Sequence, residues 1–294
     1  MRKGIFILFI ILLVSANIRG QSFIYSRSDS LIYEDYAKEF ANRQQEPIGE
    51  LIVNTAKYFK ERPYVASTLE LDGEERLVVN LREFDCTTFV ESCIALSLSL
   101  KSKDVPIEKD TPLENYMFWL SFLRYRNEPF GNKRIDGYAS RLHYTSDWIY
   151  ENEEKNILQN ISSRLGGKVV SKKIDFMSTH PQSYKQLKDN ADNLEKIKKV
   201  ETAIYERNEY IVIPKYGIAA NQKDIKDGDI IAFATSINGL DYSHIGIGCW
   251  VKGKLHFVHA STKYNKVVLE PKTLIEYCET SKRCTGISVL RVND

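Results

Sequence analysis

The chain has 294 residues, 43% hydrophobic and 27% charged, with a formal net charge of +2. This composition allows a sizeable core and excludes global disorder, and the length suits one elaborated domain or two small ones. Without Arg2, Lys3 and Arg19, 38 basic residues face 39 acidic ones, so no basic excess points to a nucleic-acid partner.

Arg2 and Lys3 precede a continuous apolar run from Ile5 to Val14. This is the pattern of a secretory signal peptide over residues 1–21, with cleavage after Ala16 or Gly20. A membrane anchor is the competing reading, but the run is short for a span. No Cys lies near the cleavage site, which argues against a lipoprotein, and no second apolar run of spanning length follows. After removal of the leader, residues 22–294 are expected to be exported across the inner membrane to the periplasm, as a single catalytic domain without stable membrane insertion.

Residues 22–45 read as a polar helix with Leu31, Tyr33, Tyr36 and Phe40 as apolar positions. Pro47 suits the first turn of a second helix, whose stripe runs from Ile48 to Phe59. After a mixed stretch with a turn at Asp72-Gly73, Thr87 to Leu100 is apolar without Gly or Pro and reads as a core helix. Thr111-Pro112-Leu113-Glu114 is a capping box opening the next helix. Residues 127–153 are rich in Gly, Arg, Tyr and Trp. Their centre, Ser140 to Trp148, could line a groove or plug the loop's own interior.

Helices are expected at 154–165, closed by Gly166-Gly167, and from Pro181 to Arg207. Residues 104–207 thus read as a helical insertion. From Ile211 the pattern becomes β. Strands are expected at Gly228–Ala234, Ser243–Trp250, Leu255–Ser261, Val267–Glu270 and Ile287–Val292, with a short helix near Lys272–Glu279. Helices first and strands later imply an α+β fold.

Cys86 stands where the core helix begins. A thiol there feels unpaired N–H groups and the positive end of the helix dipole, which favour the thiolate. A small apolar residue in a buried helix is the alternative. A turn at Lys252-Gly253 sets paired positions so that His244 faces Ser261, with His259 two residues away on the same face. His244 and His259 are then diagonal neighbours, and Gly246 and Gly248 leave room on that face. Nucleophile, base and orienting group are the parts of a thiol acyl-transfer site. Cys278 and Cys284 are close enough in sequence to pair in an oxidising compartment. The absence of CxxC and HExxH motifs suggests no metal, and no cofactor is implied.

Three pieces in this order resemble the NlpC-type branch of papain-like cysteine peptidases. They are Arg62-Pro63-Tyr64, Phe84-Asp85-Cys86-Thr87-Thr88-Phe89, and Gly228-Asp229 followed by Ser243-His244-Ile245-Gly246 and His259-Ala260-Ser261. The resemblance implies a papain-like core, with the nucleophile helix packed on an antiparallel sheet. It implies Cys86 as nucleophile, His244 as base, His259 as its orienting partner, and Tyr64 and Asp85 near the substrate. Thr87-Thr88 departs from the usual Ser-Gly, and the minimal peptidases lack the long insertion. Those departures, with Arg141 to Trp148, are similar to a narrower family of N-acetylmuramoyl-L-alanine amidase-like proteins. That likeness implies a peptidoglycan-derived muropeptide as substrate, the amide between the muramic lactyl group and L-alanine as the bond cut, and Arg141, Tyr144, Asp147 and Trp148 as a sugar-side wall. The competing functions are a γ-D-glutamyl endopeptidase, a thiol acyltransferase and a non-catalytic cell-wall binding module.

Overall fold

The computed structural model describes residues 13–18, 21–101, 112–126, 135–208 and 210–294. Its helices are α1 (Arg27–Glu39), α2 (Ile48–Tyr58), α3 (Cys86–Lys101), α4 (Pro112–Arg124), α5 (Thr145–Glu154), α6 (Phe176–Thr179), α7 (Ala191–Arg207), α8 (Lys215–Asn221) and α9 (Leu274–Thr280). The strands are β1 (Leu13–Ile18), β2 (Gln21–Ser26), β3 (Leu77–Val78), β4 (Leu158–Asn160), β5 (Lys168–Val169), β6 (Ile211–Pro214), β7 (Ile230–Thr235), β8 (Tyr242–Val251), β9 (Lys254–Ser261), β10 (Lys266–Leu269) and β11 (Cys284–Val292). A small sheet has the order β1-β2-β3. A large one runs β10-β9-β8-β7-β11-β6-β5, with β4 also paired to β11. Every pairing in the large sheet is antiparallel, and the class is α+β.

The large sheet is covered on both faces, so its central strand is apolar throughout. All six residues of β7 are buried. Ile230, Ala232 and Ala234 enter the main core, which also takes in the inner sides of α1 to α4. Ile231 and Phe233 face the opposite core, closed by Ile218 of α8 and by Leu274 and Cys278 of α9. Helix α3 is the centre of the main core. Every residue from Thr88 to Ser97 is buried, as a helix apolar on all sides requires. It is enclosed by α2, α4, β8 and β9. Phe89, Ile94 and Leu96 are wholly buried, and each such side chain contributes roughly 1.5–3 kcal/mol.

Several sequence expectations shift. Residues 22–45 do not form one helix. Gln21–Ser26 is strand β2, and Ser26 ends it by capping α1 in a reciprocal bond with Asp29. Of the expected leader, residues 1–12 lie outside the described residues, and its end pairs as β1 with β2. The helix expected at 154–165 lies one element earlier, as α5. Asn156 adopts a left-handed φ of 56° just beyond the end of α5, a common helix stop. Leu158–Asn160 is instead drawn onto the end of β11, where tertiary pairing overrides local propensity. The helix expected from Pro181 starts only at Ala191, where the Asn190 side chain accepts the Asn193 N–H.

The insertion is therefore not purely helical, because β4 and β5 join the large sheet. It also has a small core of its own, around Tyr138, Tyr144, Met177, Ile197 and Ile204. Its first segment, with Thr111 of the expected capping box, lies outside the described residues.

One buried ion pair fastens α4 to α3. Arg124 Nε meets Glu91 Oε2 at 2.7 Å, both side chains almost wholly buried, and Arg124 Nη1 donates to the Val78 carbonyl at 2.7 Å. Removing one partner of such a pair leaves an uncompensated buried charge. Glu91→Ala is expected to lower unfolding stability by about 3–5 kcal/mol in urea titration. Glu91→Gln, which keeps an acceptor, should lose less. A loss below about 0.5 kcal/mol in Glu91→Ala, the range of ordinary surface changes, would refute this role.

Candidate active site

Cys86 is the first residue of α3, and its position is set by a reciprocal cap. The Thr88 N–H and hydroxyl both donate to Asp85 Oδ1 at 2.8 Å, while the Asp85 N–H donates to Thr88 Oγ1 at 3.0 Å. Asp85 therefore acts as the helix cap. The cap satisfies the Thr88 N–H, and the helix geometry leaves the N–H groups of Cys86 and Thr87 directed out of the helix end.

The chain ahead of the cap is stitched in place from both sides. Phe84 donates its N–H to the Pro63 carbonyl, and Val65 donates to the Phe84 carbonyl. Tyr64 donates its N–H to the Asn265 carbonyl, which ties this corner to the turn before β10. The Arg62-Pro63-Tyr64 motif is thus a brace between the segment leading to Cys86 and the sheet. Gly228-Asp229 has a comparable structural part. Asp229 is buried, bonds both Arg291 nitrogens at 2.7 and 2.8 Å, and accepts the Lys226 N–H.

Cys86 meets the sheet where β8 and β9 part. Their ladder has the expected register, pairing Val251 with Lys254 and Ile247 with Val258, and it stops there instead of continuing to His244. On the other side β8 is bulged against β7, because Phe233 pairs with His244 but Ala234 pairs with Tyr242. Bulges of this kind re-aim side chains beside functional sites. The Ile245 N–H faces the Cys86 sulfur closely enough to favour its thiolate. The backbone group beside the thiol thus belongs to the immediate chain neighbour of His244.

His244 and His259 are bonded, Nε2 to Nδ1, at 2.6 Å, with the rings nearly perpendicular. Phe233, Phe257 and Tyr277 pack around them. Gly246 serves these side chains and leaves no room for a ligand. A Cβ there would stand 2.8 Å from the Phe257 ring and 3.3 Å from His259 Cβ. Two further residues of the site were not found from sequence. Glu270 Oε2 lies 3.3 Å from His259 Nε2, and Tyr277 covers the imidazole pair from α9. The diagonal rule applied to the next hairpin would have found Glu270, since Val268 faces His259 and Glu270 is two residues further on.

The electrostatics differ from the sequence expectation. Burial, reinforced by the Asp85 carboxylate, pushes the Cys86 thiol up to about 12, against the opposing effects of the Thr87 hydroxyl and the Ile245 and Cys86 N–H groups. The residue keeps some exposed surface, but the helix end supplies only ~0.3–1 kcal/mol, too little to offset desolvation of a charged sulfur. Burial, then the neighbouring His259, push His244 down to about 3. The resting site therefore holds a neutral thiol and a neutral imidazole. Burial, with Cys86 and Asp85 nearby, pushes Tyr64 up to about 12, so its hydroxyl stays protonated.

The expected sugar-side wall is an interior layer. Arg141, Tyr144, Asp147 and Trp148 are 5%, 2%, 0% and 2% exposed. Arg141 pairs with Glu70 at 2.6 Å and Glu75 at 3.3 Å. Tyr144 donates its hydroxyl to Glu201 at 2.7 Å and accepts the Met177 N–H. Asp147 is held between Arg126 and Arg207. Trp148 and His143 do reach the surroundings of Cys86, lining a small cavity with Thr87, Val90, Glu91 and Ile245. The segment therefore supports α3 from behind, and its charged side chains are taken up by internal partners because a buried charge needs one, while Trp148 Nε1 and Ser146 Oγ are buried without a hydrogen-bond partner.

Cys278 and Cys284 are buried free thiols close enough to shift each other's ionisation. Among the described residues, no group of three or more His, Cys, Asp or Glu side chains could hold a metal ion. Nor is any helix among them long and apolar enough to cross a membrane.

Two outcomes follow from the neutral pair. Alkylation of Cys86 by iodoacetamide should be slow at pH 7 and accelerate above pH 9. A plateau reached near neutrality would place the thiolate there and refute the neutral pair. His143, its Nε2 on the Tyr138 carbonyl at 2.8 Å, is likewise held well below the usual imidazole range, by burial and then by Arg141. Both imidazoles are depressed on folding, so their contribution is complete above the unfolded value near 6.5 and is lost as pH falls below it. Each should add a slope of about 1.4 kcal/mol per pH unit. The difference between wild type and His143→Gln isolates one imidazole from Glu75, Glu91 and Asp241, which burial raises. Parallel stability curves for the two proteins from pH 7.5 to 5.5 would show that His143 is not held neutral.

Comparison with known proteins adds the family. A crystal structure of an N-acetylmuramoyl-L-alanine amidase from Bacteroides uniformis is similar, at 37% identity, covering 84% of this chain and 99% of that one with a TM-score of 0.74. A Bacteroides fragilis crystal structure, provisionally named a xylanase, is also 37% identical and covers 81% of this chain and 99% of that one, with a TM-score of 0.71. A Legionella pneumophila protein at 20% identity covers 90% and 96% with a TM-score of 0.64, a likeness of fold alone. No curated protein matches the chain. The AmiA-like family model, described as N-acetylmuramoyl-L-alanine amidase-like, matches residues 54–287, from within α2 to within β11 and so across Cys86, His244, His259 and Glu270. The chain belongs to this N-acetylmuramoyl-L-alanine amidase-like family.

Proposed function

We propose that this protein is an exported cysteine amidase that hydrolyses the amide between the muramic lactyl group and L-alanine in peptidoglycan fragments. The observation that carries the chemistry is the meeting of two elements. Cys86 heads α3 with the Ile245 N–H beside its sulfur, and His244, next in the chain to Ile245, is bonded to His259. The family match supports the substrate. The leader-like residues 1–21 support export to the periplasm, and the order of motifs supports a place in the NlpC-type, papain-like superfamily.

In this reading the Cys86 sulfur attacks the lactyl carbonyl carbon while its proton passes to His244. Because thiol and imidazole both start neutral, proton transfer accompanies attack instead of preceding it. Charge develops on the carbonyl oxygen near the N–H groups left at the start of α3 and the protonated Tyr64 hydroxyl, which suit an oxyanion. The C–N bond breaks as His244 returns the proton to the departing L-alanine amine. A lactyl thioester remains on Cys86. Water then attacks it, giving one proton to His244 and its hydroxyl to the carbonyl. His244 reprotonates the sulfur as the carboxylic acid leaves.

The test is to incubate the purified protein with a defined disaccharide tetrapeptide and with free tetrapeptide, and to identify products by mass. Intact tetrapeptide plus a disaccharide carrying a free lactyl carboxylate is expected, with free tetrapeptide left uncut. Cleavage within the peptide would overturn this reading in favour of the endopeptidase. Cys86→Ala should abolish turnover. His244→Ala should lower it by roughly 10²–10⁴-fold, as for a general acid–base. His259→Ala should lower it less, because His259 only orients the base.

A further inference from the structure

We propose that Glu270 is a positioning residue that sets the protonation of both imidazoles and thereby makes Nδ1 of His244 the proton-accepting atom. This rests on the reading of His244 as the base. A carboxylate has acceptors only. Its bond to His259 therefore requires the proton of that ring to sit on Nε2. With the ring neutral, Nδ1 of His259 keeps its lone pair. The 2.6 Å bond between the rings then requires Nε2 of His244 to be the donor. That leaves the lone pair of His244 on Nδ1, where it can take the thiol proton. With the opposite tautomer, Nδ1 would carry a proton and could accept none.

The surroundings hold Glu270 for this purpose. It is 2% exposed. Its N–H donates to the Phe257 carbonyl at 2.9 Å, and its own carbonyl accepts from His256 Nδ1 at 3.0 Å. The backbone is thus clamped on β9 from both sides. Oε1 accepts the Lys272 N–H at 3.3 Å while Oε2 takes His259. Burial alone would raise this carboxyl, yet the His259 ring, the Lys272 N–H and the Lys263 charge together hold it below its ordinary value. Two donors thus converge on two acceptor oxygens. A carboxamide has only one acceptor oxygen. In Glu270→Gln the single oxygen is expected to stay with the Lys272 N–H, a backbone donor that cannot turn away, so the amide NH₂ faces His259 and forces its Nε2 to accept.

The experiment is a two-bond ¹⁵N–¹H correlation spectrum of full-length protein labelled with [¹⁵N]histidine, at a pH where both rings are neutral. The wild type should show His244 and His259 each as a single Nε2–H tautomer. Glu270→Gln should shift His259 toward Nδ1–H. It should lower kcat by roughly tenfold to hundredfold with KM within about twofold, the pattern of a group acting on the transition state. A wild-type His244 carrying its proton on Nδ1 would overturn the proposal, and so would a doubly protonated His259. Wild-type tautomers retained in a folded Glu270→Gln variant would do the same. If that variant does not fold, the wild-type spectrum alone decides. The spectrum needs no substrate, so a failed muropeptide assay would sink the substrate reading and leave this one standing.

Discussion

The structure depends on burying α3 on all sides while keeping its first residue at a boundary. The helix is buried around its whole circumference, with its one buried charge, Glu91, paired to Arg124, and it is walled by α2, α4 and the sheet. Its first turn cannot be walled in the same way, because the N–H groups there need partners. The Asp85–Thr88 cap meets part of that need. The opening between β8 and β9 supplies the place where the rest can face a reacting group. A thiol at that junction has a rigid core behind it and the sheet backbone in front of it.

Burial of polar groups is the second theme, and it organises the insertion. Arg141 with Glu70 and Glu75, Asp147 with Arg126 and Arg207, and Tyr144 with Glu201 all lie inside the protein. Such pairs contribute little net stability, since desolvation offsets most of the Coulombic gain. They do make misplacement expensive, because any shift would strand a buried charge. The segment from Tyr138 to Trp148 is therefore locked between the main core, which takes Leu142 and Trp148, and the small core, which takes Tyr138 and Tyr144. Its aromatic and charged composition reflects that locking.

Low local polarity gives the site its chemistry. It keeps Cys86 and His244 neutral at rest, and it strengthens each hydrogen bond that orients them. The same buried setting lets Glu270, on a residue just past β10, act on His244 through His259. A chain of buried acceptors and donors transmits orientation without any moving part.

By itself, the sequence determined the elements with strong local signals. The 3.6-residue pattern of α2 and the unbroken apolar run of α3 marked two helices. The Lys252-Gly253 turn set the β8–β9 register, which the structure reproduces from Ile247 to Val251, and His244 and His259, placed as neighbours by extending it, are bonded through their side chains. The α+β class followed from helices preceding strands. Local signals failed where pairing partners are distant. Leu158–Asn160 became a strand because β11 offered it an edge, and residues 22–26 became one beside β3. The site divides in the same way. The place of Cys86 at a helix start and the contact between His244 and His259 were legible because each residue sits at a helix start or in a hairpin whose geometry is local. Which face of Arg141 to Trp148 meets solvent, whether Cys86 is ionised, and the presence of Glu270 and Tyr277 beside the imidazoles were decided only by tertiary packing. Burial and dielectric belong to the assembled fold, and no window of sequence contains them.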